Sequence, residues 1–137
     1  MSWTDSLIRI RNFEIETLRK RLMAILDQRA ALEQRIVTLD AEFTRETAHA
    51  KAHAEAGWYL IGFREGWKQR RARVDVDLRT LEVEERGARD ALSEAFEALK
   101  KVEKAAEGIA AAAAKDAARR ENQALDEQAL QRRRMLG

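Results

Sequence analysis

Apolar residues recur at alternating spacings of three and four through the first third of the chain. Across five repeats, two sets of heptad positions hold eleven residues, and nine of these are apolar. The first set is Ile8, Ile15, Leu22, Arg29, Ile36 and Phe43, and the second set is Arg11, Leu18, Ile25, Leu32 and Leu39. A heptad sustained over this length predicts a long helix with a coiled-coil seam.

The same spacing returns in the second half of the chain. Twelve positions follow it, and only Glu85 among them is polar. They are Val74, Leu78, Leu81, Glu85, Ala88, Leu92, Ala95, Leu99, Val102, Ala106, Ile109 and Ala113. Four are alanine, and small residues that face large ones let two helices approach closely. The pattern therefore predicts an all-α protein, a long two-helix antiparallel coiled-coil hairpin.

A glycine-rich and aromatic stretch separates the two seams. Residues 56–67 hold three of the six glycines and four of the eight aromatic residues. Because glycine adopts backbone angles that other residues avoid, we expect the chain to turn at about residues 56–62. Helix 1 is then predicted at about residues 3–55 and helix 2 at about residues 63–116, within a single domain, 1–137.

The pairing of the two helices is tested by the odd polar residues. In an antiparallel hairpin the numbers of opposed residues sum to a constant, and these heptads allow 110, 117 or 124. We favour 117, because it places Arg29 opposite Ala88, where the arginine has room to reach water. This register centres the turn between residues 58 and 59 and leaves Glu85 facing an apolar position. Residues 117–137 then form an unpaired C-terminal helical tail.

Composition and charge narrow the classes of function. The chain has no proline or cysteine, which suits long helices and excludes disulfides and thiol chemistry. Its 26 basic and 24 acidic residues are interspersed, so the net charge of +2 does not favour nucleic acid. No apolar run reaches the roughly 20 residues that a membrane span needs. A coiled coil also lacks an enclosed pocket for catalysis, so we expect no enzyme activity and no cofactor.

Two histidines give the strongest candidate for a metal site. His49 and His53 are four residues apart on a predicted helix, and Glu46 and Glu42 precede them by one and two turns. This spacing is compatible with a metal ion, but the pattern does not provide a third fixed ligand. We favour solvated side chains on an alanine-rich helix and predict no metal.

Basic and aromatic residues around the turn are candidates for a contact surface. The basic stretch consists of Arg64, Lys68, Arg70, Arg71 and Arg73. It is interpreted first as a solvated helix face, then as a protein contact, and last as a site for nucleic acid or a membrane surface. Trp58, Tyr59, Phe63 and Trp67 either seal the end of the hairpin or remain exposed to a partner, and these two interpretations are equally supported.

The chain resembles the flagellar export protein FliJ family over nearly its whole length. The opening Ser6-Leu7-Ile8-Arg9-Ile10-Arg11, with Glu14 and Leu18, matches the family pattern. The turn matches through Gly57 followed by Tyr59 and Phe63. The tail matches through Arg119, Glu121, Asp126 and Glu127, with Arg132, Arg133 and Arg134 after them. The segment Asn122-Gln123-Ala124 departs from the family, because it lacks the family's lysine.

The resemblance implies a non-enzymatic role in flagellum biogenesis, and through it in motility and chemotaxis. Proteins of this family resemble the rotor stalk of rotary ATPases. They are components of type III secretion systems and are related to the stalk protein of virulence-type secretion. They insert their terminal ends into the hexameric export ATPase ring and contact the cytoplasmic domain of the membrane export gate with the hairpin. They also regulate the ATPase and bind export chaperones. The implied location is the cytoplasm, peripheral at the cytoplasmic face of the inner membrane.

Carried over to this sequence, the resemblance implies two sets of contact residues. The expected ATPase contacts are Arg11, Arg119, Glu121, Asp126 and Glu127. The expected export-gate contacts are Leu39, Phe43, Tyr59, Phe63 and Trp67. Two interpretations from other classes stay open, namely a structural coiled coil that self-associates through its tails, and a binder of nucleic acid or membrane surfaces through the basic stretch.

Overall fold

Two helices make up almost all of the protein. The computed structural model describes residues 2–137, apart from the side chain of Ala56. Helix α1 spans Trp3–Ala52, a 3-10 turn spans Ala54–Ala56, and helix α2 spans Gly57–Leu136. No strand occurs within these residues, and the predicted all-α class with a two-helix hairpin is confirmed. Neither helix, over the described length, has an 18-residue segment apolar enough to cross a bilayer.

A capping box starts helix α1. The Oγ atom of Ser2 accepts a hydrogen bond from the amide of Asp5 at 3.3 Å, and the amide of Ser2 donates to Oδ2 of Asp5 at 3.3 Å. These two bonds satisfy amide groups that the first helical turn leaves without partners. The carboxylate also lies at the positive end of the helix dipole. Ser2 and Asp5 therefore cap the start of α1.

The described chain divides into two compact units. The hairpin unit is Ile15–Glu94, and the terminal unit combines the start of α1 as far as Glu14 with Ala95–Gly137. In the terminal unit Thr4 and Val102 are buried. Every residue in the range 107–137 is exposed, although α2 continues through most of it.

The core of the hairpin unit places a small residue of α2 among large residues of α1. Ala88 has no exposed surface, and it shares a cluster with Ile25 and Leu81. Leu22 and Leu32 pack against this cluster from α1. The alanine leaves room for the two backbones to approach, so the leucine and isoleucine side chains fill the space between them. This is the large-against-small packing that the two seams predict.

The observed register near the turn differs from the predicted one. Phe43 lies against Trp67, and Asp40 pairs with Arg71, so opposed residue numbers sum to 110 and 111. The preferred register of 117 is therefore wrong in this part of the hairpin. Half of 110 is 55, and the chain reverses in the 3-10 turn Ala54–Ala56, ahead of the predicted 56–62.

The length of the Arg29 side chain explains how the two helices can pair with a sum near 110. At a sum of 110, Arg29 lies opposite the apolar Leu81. Instead Nη1 of Arg29 donates to Oε1 of Glu85 at 3.1 Å across the two helices, and Nε donates to Glu33 at 3.1 Å. Glu85 also accepts a hydrogen bond from Nε of Arg89 at 3.2 Å. Arg29 and Glu85, two of the three polar residues in the seams, thus pair with each other, and neither needs the space beside Ala88.

The turn uses an extended residue, not a glycine. His53 has φ −129° and ψ 96°, and these extended backbone angles separate the end of α1 from the 3-10 turn. Gly57 has φ −59° and ψ −38°, ordinary helical angles, and none of the described glycines has a positive φ. Glycine permits unusual backbone angles but does not require them. The glycines of the stretch 57–66 therefore lie inside α2 and not in the turn.

Overpacking of the core at Ala88 should destabilise the hairpin. We expect Ala88→Leu to lower the free energy of unfolding by about 1–3 kcal/mol, because the added atoms have no space beside Ile25 and Leu81. Urea unfolding followed by circular dichroism measures the change. The matched control is Ala72→Leu at an exposed position of α2, which should change stability by less than about 0.5 kcal/mol. Equal stability of wild type and Ala88→Leu would contradict this packing.

The cross-helix ion pair predicts a defined dependence of stability on pH. Hydrogen bonds from Arg89 and Arg29 hold the pKa of Glu85 below its ordinary value of 4.5. Because the folded-state pKa is the lower one, the pair stabilises the fold above 4.5, and the contribution is lost as pH falls through the lowered pKa. Glu85→Gln should lower Tm at neutral pH, and the difference from wild type should shrink as the pH falls below 4.5.

Thermal unfolding between neutral and acidic pH measures this difference. The control is Glu82→Gln, an exposed glutamate on the same helix, whose Tm should follow the wild-type curve. A Glu85→Gln variant whose Tm stays parallel to the wild type at every pH would show that the pair adds no pH-dependent stability.

Candidate functional site

The end of the hairpin unit carries a group of aromatic side chains from both helices. We call Leu39, Phe43, Tyr59, Phe63 and Trp67 the tip cluster. The rings of Phe43 and Trp67 lie 4.6 Å apart at 38°, and those of Tyr59 and Phe63 lie 6.3 Å apart at 31°. The structure thus forms two ring pairs from four of the five residues that the family resemblance assigns to the export gate.

One hydrogen bond fixes the orientation of Trp67. Its indole Nε1 donates to the backbone carbonyl of Leu39 at 2.7 Å. The donor is a side chain of α2 and the acceptor is a main-chain carbonyl of α1, so the bond ties α2 directly to the backbone of α1. Leu39 itself is 1% exposed, so its side chain offers no surface to a partner. Its position in the tip cluster is underneath Trp67.

Exposure divides the aromatic residues of the tip. Phe43, Phe63 and Trp67 are half-buried. In contrast, Trp58 is 80% exposed and Tyr59 is 47% exposed. Of the four rings at the start of α2, Phe63 and Trp67 are therefore partly packed, whereas Trp58 and Tyr59 remain on the surface. Exposed aromatic rings grouped at one place are typical of contact surfaces.

The basic stretch is largely engaged inside the chain. Arg71 pairs with Asp75 at 2.7 Å and with Asp40 at 3.7 Å, and Arg73 pairs with Asp77 at 3.4 Å. Lys68 lies 3.9 Å from Glu65, and the guanidinium of Arg64 lies over the ring of Phe43 at 6.0 Å. Paired cations present less free positive charge to phosphates. The geometry therefore favours a helix face held by local ion pairs over a nucleic-acid site.

A cleft lies beside the tip cluster. It measures about 550 Å³ and is lined by Glu46, His49, Glu55, Trp58 and Tyr59. Its lining comes from the end of α1, the 3-10 turn and the first turn of α2. Sequence analysis missed the association of these carboxylates with Trp58 and Tyr59. The sequence does contain a signal for this association, because Glu55 lies three residues before Trp58.

The histidine pair stacks instead of opening toward a shared ion. The rings of His49 and His53 lie 4.5 Å apart at 25°, and Nδ1 of His53 lies 3.3 Å from the carbonyl oxygen of His49. Among the described residues, no three His, Cys, Asp or Glu side chains are grouped so that they could hold a metal ion.

The charged residues assigned to the ATPase lie in the terminal unit. Arg119, Glu121, Asp126 and Glu127 are all exposed on α2. Arg119 donates to Asp116 at 2.6 Å, one turn earlier in the helix.

Arg11 lies on the other helix of the terminal unit and is partly buried. It pairs with Glu14 at 3.1 Å, and its Nε atom is buried with no hydrogen-bond partner among the described residues. The structure therefore groups the four tail residues along one helical segment. The one ion pair that it gives to Arg11 is with its own helix.

Leucine side chains accompany the charges of the tail. Leu125 is exposed, and so is Leu130. A shallow groove along this segment is lined by Arg120, Gln123, Ala124, Asp126, Glu127 and Leu130. A single helix with exposed leucines between acidic and basic groups has the chemistry of a segment that packs against another protein.

Comparison with known proteins gives two close relatives. The chain is 50% identical over 130 residues to the flagellar FliJ protein of Caulobacter vibrioides, in strain NA1000 / CB15N and in strain ATCC 19089 / CIP 103742 / CB 15. Each alignment covers 95% of this chain and 94% of the relative. No family model matches the chain, and no solved structure matches it. Because half of the residues are identical over nearly the full length of both proteins, the chain belongs to the flagellar FliJ protein family.

Proposed function

We propose that this protein is a non-enzymatic stalk and adaptor of the flagellar type III protein export apparatus. Its terminal unit contacts the export ATPase ring, and its tip cluster contacts the cytoplasmic domain of the membrane export gate. Membership of the flagellar FliJ family supports the flagellar setting. The observation that carries the proposal is the end of α2, which stays helical to Leu136 while every residue in the range 107–137 is exposed.

An exposed helix of this kind is suited to insertion into a partner. Its backbone groups are already satisfied within the helix, so binding requires no new backbone hydrogen bonds. Its side chains are available on all faces, and they include the acidic groups of Glu121, Asp126 and Glu127 together with Leu125 and Leu130. These residues support a contact that combines apolar packing with charge complementarity.

The tip cluster supports the second contact. Tyr59 presents half of its surface to solvent, while Phe43, Phe63 and Trp67 each keep part of their rings accessible. Aromatic rings held by packing lose little conformational entropy when a partner covers them. Leu39 acts beneath this surface through the carbonyl that orients Trp67.

The mechanism is mechanical and electrostatic, and no covalent bond is made or broken by this chain. Charged groups of the tail bias the contacts between subunits of the ATPase ring and so regulate its activity. Export chaperones are further partners. This activity places the protein in the cytoplasm, peripheral at the cytoplasmic face of the inner membrane.

Removal of the tail should abolish the effect on the ATPase. We expect the full chain to stimulate ATP hydrolysis by the flagellar ATPase of the same bacterium, and a version that ends at Asp116 to leave the basal rate unchanged. Phosphate release measures the rate, and circular dichroism checks that the shortened chain is helical. A shortened chain that stimulates as strongly as the full chain would refute the placement of the contact in residues 117–137.

Neutralisation of the tail carboxylates should weaken the same contact without shortening the helix. The variant Glu121→Gln/Asp126→Asn/Glu127→Gln should raise the concentration needed for half-maximal stimulation roughly tenfold, as expected for three exposed charge contacts. The control Glu82→Gln/Asp90→Asn/Glu94→Gln changes the same residue types at exposed positions of the hairpin unit. If both variants weaken the stimulation equally, net charge and not the tail is responsible.

A further inference from the structure

The cleft beside the tip cluster has an uncompensated negative charge. Within residues 2–137 the structure records no ion pair for Glu46 or for Glu55, both of which line the cleft. Three other carboxylates of the hairpin unit, those of Asp40, Asp75 and Asp77, each have an arginine within 4 Å. The two glutamates therefore leave negative potential in a recess where a cation would be favoured.

The aromatic part of the lining favours the same sign of charge. Trp58 is 80% exposed and Tyr59 is 47% exposed, so faces of both rings are accessible from solvent. The face of an aromatic ring carries negative electrostatic potential and attracts ammonium and guanidinium groups, with tryptophan the strongest. Arginine and lysine also cover ring faces with their aliphatic stems. Carboxylates beside accessible ring faces thus suit an organic cation attached to a flexible stem.

Other classes of ligand fit the cleft less well. An anion would meet two carboxylates, and the lining contains neither lysine nor arginine to pair with it. A metal ion would need a group of three acidic or imidazole ligands, and the described residues contain no such group. A purely apolar group would leave the two glutamates beside it without water or a partner.

We infer that this cleft binds an arginine or lysine side chain of a partner protein, and that the partner is the export-gate domain. The second part rests on the proposed function, in which the tip cluster contacts that domain. The cleft and the tip cluster share Tyr59, so a cationic side chain in the cleft and an apolar contact on the cluster can belong to one interface. Glu46 and Glu55 bind the charge, and Trp58 covers the stem.

Titration with short peptides tests the chemistry of the cleft on the intact protein. The probes are capped alanine pentapeptides with a central arginine, lysine, norleucine or glutamate. Binding is followed by NMR at the indole N–H of Trp58, assigned with the variant Trp58→Phe. The indole N–H of Trp67 is the internal reference, because it is hydrogen-bonded to the carbonyl of Leu39.

The expected result is a saturable shift of the Trp58 signal with the arginine and lysine peptides only. Glu46→Gln/Glu55→Gln should weaken this binding roughly fivefold, as expected when two exposed ion pairs are lost. The control Glu82→Gln/Glu94→Gln alters two exposed glutamates elsewhere in the hairpin unit and should bind as the wild type does. Equal shifts with norleucine, no shift with arginine, or full binding by the Glu46→Gln/Glu55→Gln variant would each overturn the inference.

Binding of the purified export-gate domain then tests which protein supplies the side chain. If the gate is the partner, Glu46→Gln/Glu55→Gln and Trp58→Leu weaken its binding while Glu82→Gln/Glu94→Gln does not. Equal gate binding by the wild type and the cleft variants would overturn the assignment of the gate as source of the cation. Failure of the wild type to bind the gate, with peptide binding intact, would refute the proposed gate contact and leave the cation-binding cleft established.

Discussion

The close approach of α1 and α2 at Ala88 is the contact on which the hairpin unit depends. A larger residue there would separate the backbones, and Ile25 and Leu81 would lose the packing that they now share. Once that contact is made, the heptads on either side can meet only at one spacing. Phe43 then meets Trp67, and the chain has to reverse at Ala54–Ala56. Packing in the middle of the hairpin unit therefore determines which residues lie at its tip.

The heptad pattern was sufficient to predict the helices and their antiparallel pairing, but not their register. A shift of one heptad returns every seam position to another seam position, so the apolar residues alone cannot distinguish 110 from 117. The preference for 117 rests on Arg29 and assumes that this arginine needs a small residue opposite it. The side chain instead reaches Glu85 at 3.1 Å. The numbers of Arg29 and Glu85 sum to 114, which lies between 110 and 117, so this pair does not select a register. The contact between Phe43 and Trp67 does.

Residues of the candidate site were predictable to different degrees for similar reasons. Burial of Leu39 was implied by its place in the seam, although the family resemblance assigned it to a contact surface. The bond from Trp67 was not predictable, since its acceptor is a backbone carbonyl and every residue has one. The division between half-buried and exposed rings also depends on where the turn lies. With the turn at Ala54–Ala56, the first turn of α2 carries Trp58 and Tyr59 at the surface.

Charges at the tip show why composition and surface chemistry differ in this protein. The segment that begins α2 is rich in arginine and lysine, yet Arg71 and Arg73 are held by aspartates and Arg64 lies over Phe43. An exposed ion pair adds little stability, but the nearby carboxylate reduces the positive potential that its arginine presents to a partner. Beside the exposed rings of Trp58 and Tyr59 lie the carboxylates of Glu46 and Glu55, for which the described residues include no ion pair. A tip that is basic by composition therefore has, beside its exposed rings, an acidic and aromatic recess.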